Sequence, residues 1–181
     1  MMNQLFITLM TLLAFSFSVY AQNTNFSQNF ENLDSGKDIT KLEKGKFTTW
    51  GNSTWTVTEK KGAGNNKSDK FASSDGAVNA TLVLFKTLEV GATYEFSVAV
   101  KMTNAKGNAK KTNYMVKATS GKKGDMHKYA EDKVVEPGEN QWKQHKIQFT
   151  VIEGREKVAL QVYRWAEGIA LNVDDFKLEK K

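Results

Sequence analysis

Cysteine is absent from the 181-residue chain and proline occurs once. The first absence excludes thiol catalysis, thiolate metal sites, disulfide bridges and a lipid-modified N-terminal cysteine together. The second, with 13 glycines, 40% hydrophobic and 25% charged residues, excludes collagen-like and disordered chains and leaves a globular composition. Histidine occurs only as His127 and His145, and no His-Glu-x-x-His, Gly-x-Ser-x-Gly or phosphate-loop motif is present, so the catalytic inventory is thin. Two facing carboxylates would serve a glycosidase, but spacing singles out no pair among the 20 acids. Helical periodicity is nearly lacking too. Only Asp38 to Lys44, with Ile39 and Leu42 three apart and Gly45 as a stop, reads as a short helix.

Charge is missing from the first thirty residues, and Leu5 to Val19 form an apolar run of signal-peptide length, shorter than the roughly 20 residues a bilayer span needs. Val19-Tyr20-Ala21 places small residues where a signal peptidase reads. The expectation is a signal peptide over 1–21, cleavage before Gln22 and a single exported domain over 22–181, with no membrane span in the mature chain. Met1 to Gln4 depart from the pattern, since only the terminal amine supplies positive charge there. The exported domain is expected to be extracellular, periplasmic or held at the cell surface, as a monomer. Without disulfides it must rely on its core or on a structural metal, and calcium is the available extracellular ion.

What is present is strand signal. Phe26 to Leu33, Phe47 to Trp50, Thr54 to Glu59, Ala80 to Leu88, Tyr94 to Met102, Thr112 to Thr119, Trp142 to Ile152, Lys157 to Trp165 and Ile169 to Leu178 are short β-branched or aromatic runs. Turn signals separate them, including Gly91-Ala92, Ser120-Gly121, Pro137-Gly138 and Glu153-Gly154. Phe47 to Trp50 and Thr54 to Glu59 read as a pair across Gly51-Asn52-Ser53, and Gly62 to Lys70 reads as a long loop. Many strands with no crossover helix predict an all-β fold, an antiparallel two-sheet β-sandwich or barrel.

Strand parity then sorts faces. In Lys157 to Trp165, Val158, Leu160 and Val162 point one way, while Gln161, Tyr163 and Trp165 point the other. Aromatic faces beside amide groups hold sugar rings, so Gln161, Tyr163 and Trp165 are candidate ligand residues. Trp50 and Trp55, beside the Gly51 turn, are further candidates, one of them expected in the core; Trp142 and Tyr114 are expected there as well. Net charge is +6, but it is local. Between Lys101 and Lys128 stand eight lysines, Lys101 and Lys117 among them, against the single acid Asp125. Such a field attracts polyanions. An acidic polysaccharide suits an exported chain, whereas nucleic acid is not expected, because only Tyr114 is available for stacking and no recognition motif occurs.

The closing run Leu171-Asn172-Val173-Asp174-Asp175-Phe176-Lys177-Leu178 resembles the last strand of secreted carbohydrate-binding modules of the galactose-binding-like jelly-roll class, typified by the cellulose- and xylan-binding modules of glycoside hydrolases. Asn29-Phe30-Glu31, Gly91 to Lys101, and Trp142 followed by Phe149-Thr150-Val151 are similar to earlier strands of that class, in the same order. The resemblance implies a jelly roll that binds glycans and carries a structural calcium, with Glu31 and Asp174 at the matching ligand positions. Asp174 has the parity of Phe176 and Leu178, so its carboxylate is expected to point inward, where a cation would satisfy it. The expected function is non-catalytic polysaccharide binding. Its rivals are a lyase drafting His127, Tyr129 and Arg164, a glycoside hydrolase on the same scaffold, and a cell-surface structural or adhesion protein.

Overall fold

The β-branched runs pair into two sheets, and the alternation of their side chains decides which surfaces meet. The computed structural model describes residues 25–42, 46–60, 62–64, 69–104, 113–122, 124–135 and 140–181. The expected signal peptide, Lys106, Lys110, Lys111, Lys123 and the Pro137-Gly138 turn lie outside them.

Eleven strands are found among the described residues: β1 (Phe26–Gln28), β2 (Phe47–Trp50), β3 (Trp55–Glu59), β4 (Lys70–Ser74), β5 (Ala80–Thr87), β6 (Thr93–Asn104), β7 (Asn113–Lys122), β8 (Asp125–Val135), β9 (Lys143–Thr150), β10 (Lys157–Arg164) and β11 (Ile169–Lys180). A short helix α1 (Ile39–Leu42) precedes β2. Asp38 caps it, its Oδ1 accepting from the Thr40 N–H at 2.9 Å and the Thr40 hydroxyl at 2.7 Å. The first sheet runs β3-β4-β11-β6-β9 with β1 also on β11; the second runs β2-β5-β10-β7-β8. All pairings are antiparallel, so the expected all-β jelly-roll sandwich is what forms. No helix among the described residues is long and apolar enough to cross a membrane.

The core lies where the inner faces meet. Val158, Leu160 and Val162 of β10 face Phe96, Val98 and Val100 of β6 and Val173, Phe176 and Leu178 of β11, all buried. Phe26, Phe47, Phe96 and Phe176 form a chain of ring contacts 4.6 to 6.2 Å apart, and each ring removed from water contributes roughly 2–3 kcal/mol. At the β8/β9 side the sheets are joined by polar groups. Tyr114 Oη lies 2.7 Å from His145 Nε2, and His145 Nδ1 lies 2.6 Å from Asp132 Oδ2.

Three expectations about strands are corrected. Phe47 to Trp50 and Trp55 to Glu59 are not a hairpin: β2 pairs with β5 and β3 with β4, so the Gly51-Asn52-Ser53 turn crosses between sheets. Gly51, at φ 91°, permits this, since a Cβ there would lie 2.0 Å from the Asn79 carbonyl oxygen. Two strands carry no clear signal in the sequence, β4 because its run is small and polar, β8 because charges interrupt it. Asp174 does not share the parity of Phe176. The β6 register shifts between Asp174 and Lys177, with Asp175 at φ 48°, and this bulge turns Asp174 to the outer side of the first sheet.

Candidate functional site

The outer face of the second sheet is built by the residues that alternate with its core rows. On β10 these are Ala159, Gln161 and Tyr163; their neighbours are Thr81, Val83 and Phe85 on β5 and Met115, Lys117 and Thr119 on β7. Trp50 stands opposite Thr81 at the end of β2, and Glu131 and Lys133 of β8 stand opposite Lys117 and Met115. The middle of this face is closed: Val83, Gln161 and Thr119 are buried, and Gln161 Nε2 donates to Thr119 Oγ1 at 2.6 Å. Its margins are open. Trp165 is 63% exposed, and Trp50 and Phe85 about 40%. A buried floor between raised aromatic margins is a trough. Along β10 the residues from Lys157 to Trp165 span roughly 26 Å at the rise of an extended strand, more than the length of one sugar.

One margin is the pair Tyr163 and Trp165, with ring centroids 6.4 Å apart and Lys117 Nζ 5.0 Å from the Tyr163 ring centre. Burial holds the Lys117 ammonium below its usual range, partly offset by Glu131. The other margin is Trp50 tilted against Phe85 at 5.9 Å, with Lys157 Nζ 5.7 Å from the Phe85 ring centre. There the trough deepens into a cavity of about 490 Å³ whose lining includes Trp50, Phe85, Met126 and Ala159. Its end wall is Arg155, which donates to the Asp125 carbonyl at 2.9 Å and to its carboxylate at 2.6 Å. Gly121 lies beneath this clamp, and a Cβ there would sit 2.1 Å from the Asp125 carbonyl oxygen.

The structure thus brings Gln161, Tyr163, Trp165, Trp50 and Lys117 onto one face. Gln161 lies in its closed floor, 1% exposed with its amide donating to Thr119, so it supports the face rather than reaching a ligand, and two other candidates are not on this face at all. Trp55 is 1% exposed: its parity on β3 faces the core, so no ligand reaches it. Lys101 lies on the first sheet opposite Asn172, where its Nζ sits 5.2 Å from the Phe71 ring centre and 4.6 Å from that of Trp142. The same cluster corrects Trp142, which is half-buried on the outer side of the first sheet rather than in the core. Tyr114 is a core residue as expected. Phe85, Met126, Arg155 and Lys157 were missed as site residues. Phe85 was concealed because the run Ala80 to Phe85 is apolar on both faces; the other three stand in or beside turns that strand parity does not assign.

The groups drafted for a lyase are dispersed. Arg164 is fully buried with Nη2 donating to the Ala77 carbonyl at 2.8 Å. It pairs with Tyr114 at one end of β7, while His127 pairs with Ser120 near the other, about 20 Å away along the strand. Tyr129 donates its hydroxyl to the Arg155 carbonyl at 2.9 Å.

Glu31 and Asp174 are brought together where β4 and β1 succeed one another along the same edge of β11. Asp174 is 3% exposed. Its Oδ2 accepts from the Ala63 N–H at 3.1 Å and its Oδ1 from the Asp175 N–H at 2.8 Å. Burial, opposed by these two hydrogen bonds and reinforced by the charges of Asp175 and Glu31, pushes its carboxyl up to about 6. Glu31 Oε1 accepts from the Lys70 N–H at 3.0 Å. Gly62 lets the loop close on these groups: a Cβ there would lie 3.2 Å from Asp174 Oδ2 and 3.2 Å from Asp69 Oδ2. Among the described residues no three acidic or imidazole groups form a ready metal cluster. The site therefore offers two carboxylates, Asp174 and Glu31, each already accepting from backbone N–H groups.

No family model matches the chain, and no curated protein matches it. Solved structures do. The CBM22-1 xylan-binding domain of Paenibacillus barcinonensis Xyn10C is similar over 86% of this chain and 92% of its own, with 17% identity and a TM-score of 0.57. The Family 16 Carbohydrate Binding Module-2 is similar over 69% of this chain and 84% of its own, with 14% identity and a TM-score of 0.51. The CBM22-1–GH10 modules of Clostridium thermocellum endo-1,4-beta-D-xylanase 10B, solved with xylohexaose, match 86% of this chain at 14% identity and a TM-score of 0.60. The chain spans only 28% of that two-module protein. At these identities the likeness is one of fold, a β-sandwich of the carbohydrate-binding-module type.

Proposed function

We propose that the protein binds polysaccharide without cleaving it, along the outer face of its second sheet. The observation that carries this reading is the placement of Trp50, Phe85, Tyr163 and Trp165 on one side of one sheet, three of them open to solvent. Such rings lie flat against the C–H faces of pyranoses, while Lys117 and neighbouring polar groups meet hydroxyls. The fold it shares with xylan-binding domains makes a xylan-type chain the first ligand to try. Acidic substituents are favoured by the lysine excess on this face, where Lys117, Lys133 and Lys157 stand against Glu131, itself paired with Lys128 at 2.9 Å.

The reading includes calcium as a structural ion held by Glu31 and Asp174, where the buried carboxylate supports it, and export of the domain, which the uncharged N-terminal run supports. Calcium would neutralise the buried Asp174 carboxylate; the trough itself lies on the other sheet.

Affinity electrophoresis through gels containing soluble xylan, with parallel assays for new reducing ends and unsaturated products, tests the function. Retarded migration with neither product is the expected result. Product formation would replace the binding reading with an enzymatic one; unretarded migration on neutral and acidic xylans alike would favour the adhesion reading.

A further inference from the structure

The cavity at the Lys157 end of the trough, where the Trp50 ring leans on Phe85, differs in chemistry from the Tyr163–Trp165 end. Its apolar surface comes from Phe85, Trp50 and Met126, all exposed, while Thr119 and Ser120 lie buried in its lining. Its charges do not cancel. Arg155 and Asp125 satisfy each other at 2.6 Å, and the remaining lining charges are Lys122 and Lys157 against Glu156. Glu156 is turned back onto its own turn, where Oε1 accepts from the Gly154 N–H at 2.8 Å. Lys157 rests over the Phe85 ring at 5.7 Å, where its ammonium can be drawn to an anion at modest cost. The walls are fixed, because the Arg155 clamp ties the β9–β10 turn to the β7–β8 turn across Gly121. A volume of about 490 Å³ admits a sugar ring with a substituent.

Resting on the polysaccharide reading, we infer that this cavity seats the carboxylate-bearing ring of an acidic glycan. The uronic acid residue lays its apolar face on Trp50 and Phe85 and directs its carboxylate to Lys157 and Lys122. The Tyr163–Trp165 end then holds the neutral part of the chain, so one trough reads both length and charge.

The test compares a xylo-oligosaccharide carrying one uronic acid substituent with the same oligosaccharide whose carboxyl is methyl-esterified, by calorimetry at low salt. The two differ in charge and scarcely in shape. Wild type binds the acid roughly tenfold more tightly, the size of one charge-assisted hydrogen bond open to solvent. The double variant Lys122→Met/Lys157→Met brings that ratio close to one. Lys101→Met, on the other sheet, leaves it intact, and Lys117→Met lowers both affinities together. Equal binding of acid and ester by wild type overturns the inference, as does a ratio that survives in the double variant or vanishes in Lys117→Met. In those cases binding of the esterified chain leaves the polysaccharide reading standing. If neither form binds and neutral xylohexaose does not bind either, both readings fall. Melting curves of each variant separate lost binding from lost fold.

Discussion

The contact between Tyr114, His145 and Asp132 joins the edge of one sheet to the edge of the other through polar groups, and its disruption has a calculable cost. His145 and Tyr114 are about 99% buried, while the Asp132 side chain is 40% exposed. Burial pushes the Tyr114 hydroxyl's pKa up and, outweighing the pull of Asp132, pushes that of His145 down. The imidazole is therefore neutral, with Nδ1–H donating to Asp132 and Nε2 accepting from the Tyr114 hydroxyl at 2.7 Å. Tyr114→Phe removes one buried hydrogen bond and leaves Nε2 without a donor, at a cost of about 1–3 kcal/mol. His145→Leu strands the Tyr114 hydroxyl and costs about 2–3 kcal/mol, with little from Asp132 because water reaches it. The double variant leaves no stranded partner in the core. Its loss falls short of the sum by about 1–2 kcal/mol. Urea unfolding of the four proteins measures this coupling, and additivity within about 0.5 kcal/mol would refute the relay. The pH sign follows. The unfolded imidazole takes up a proton below its usual 6.5, whereas the folded one resists, so this contribution is complete above that pH and is lost as pH falls. His145→Leu removes that part of the acid sensitivity.

Asp174 has the opposite sign. Its folded carboxyl titrates at about 6 against an ordinary 3.8, so without an ion stability declines as pH rises from about 4 to about 6, and the group costs about 3 kcal/mol at neutral pH. Asp174→Asn recovers most of that, less about 1 kcal/mol because its amide can satisfy only one of the two N–H donors. Thermal melts of metal-free protein should show the variant the more stable at pH 7, while wild type alone gains melting temperature with millimolar calcium; a wild type indifferent to calcium and chelator contradicts the ion site. Gly51→Ala would force a Cβ to within 2.0 Å of the Asn79 carbonyl oxygen at a positive φ, costing about 2–4 kcal/mol in urea unfolding; a loss under 1 kcal/mol would mean that the crossover is more pliant than its geometry indicates. Gly121→Ala should lower stability and weaken binding of the acidic ligand together, since it displaces the Arg155 clamp.

The sandwich was legible because β9, at an edge of the first sheet, and β10, in the middle of the second, announce their inner rows, and Tyr163 and Trp165 stand out as large rings off the core register. Where a strand is buried on both faces, parity carries no message, which is why Phe85 and the floor residue Val83 were not read as part of the trough. One edge strand hides for a different reason. β8 is interrupted by charge because one side of it meets solvent. Asp174 shows the limit most clearly, since one residue inserted by the bulge at Asp175 reverses the face that counting predicts. Long-range neighbours such as the Arg155 clamp join turns 30 residues apart, and no local pattern encodes them.

The central claim is that the face bearing Trp50, Tyr163 and Trp165 is the glycan site, and calorimetry with a neutral xylo-oligosaccharide tests it most directly. Trp165→Ala, Tyr163→Ala and Trp50→Ala should each weaken binding by roughly tenfold or more, the loss of about 1–3 kcal/mol that a stacked ring contributes at an interface. Trp142→Ala, on the opposite sheet, should leave affinity unchanged. Undiminished binding in the first three variants, or a loss confined to Trp142→Ala, would contradict the account.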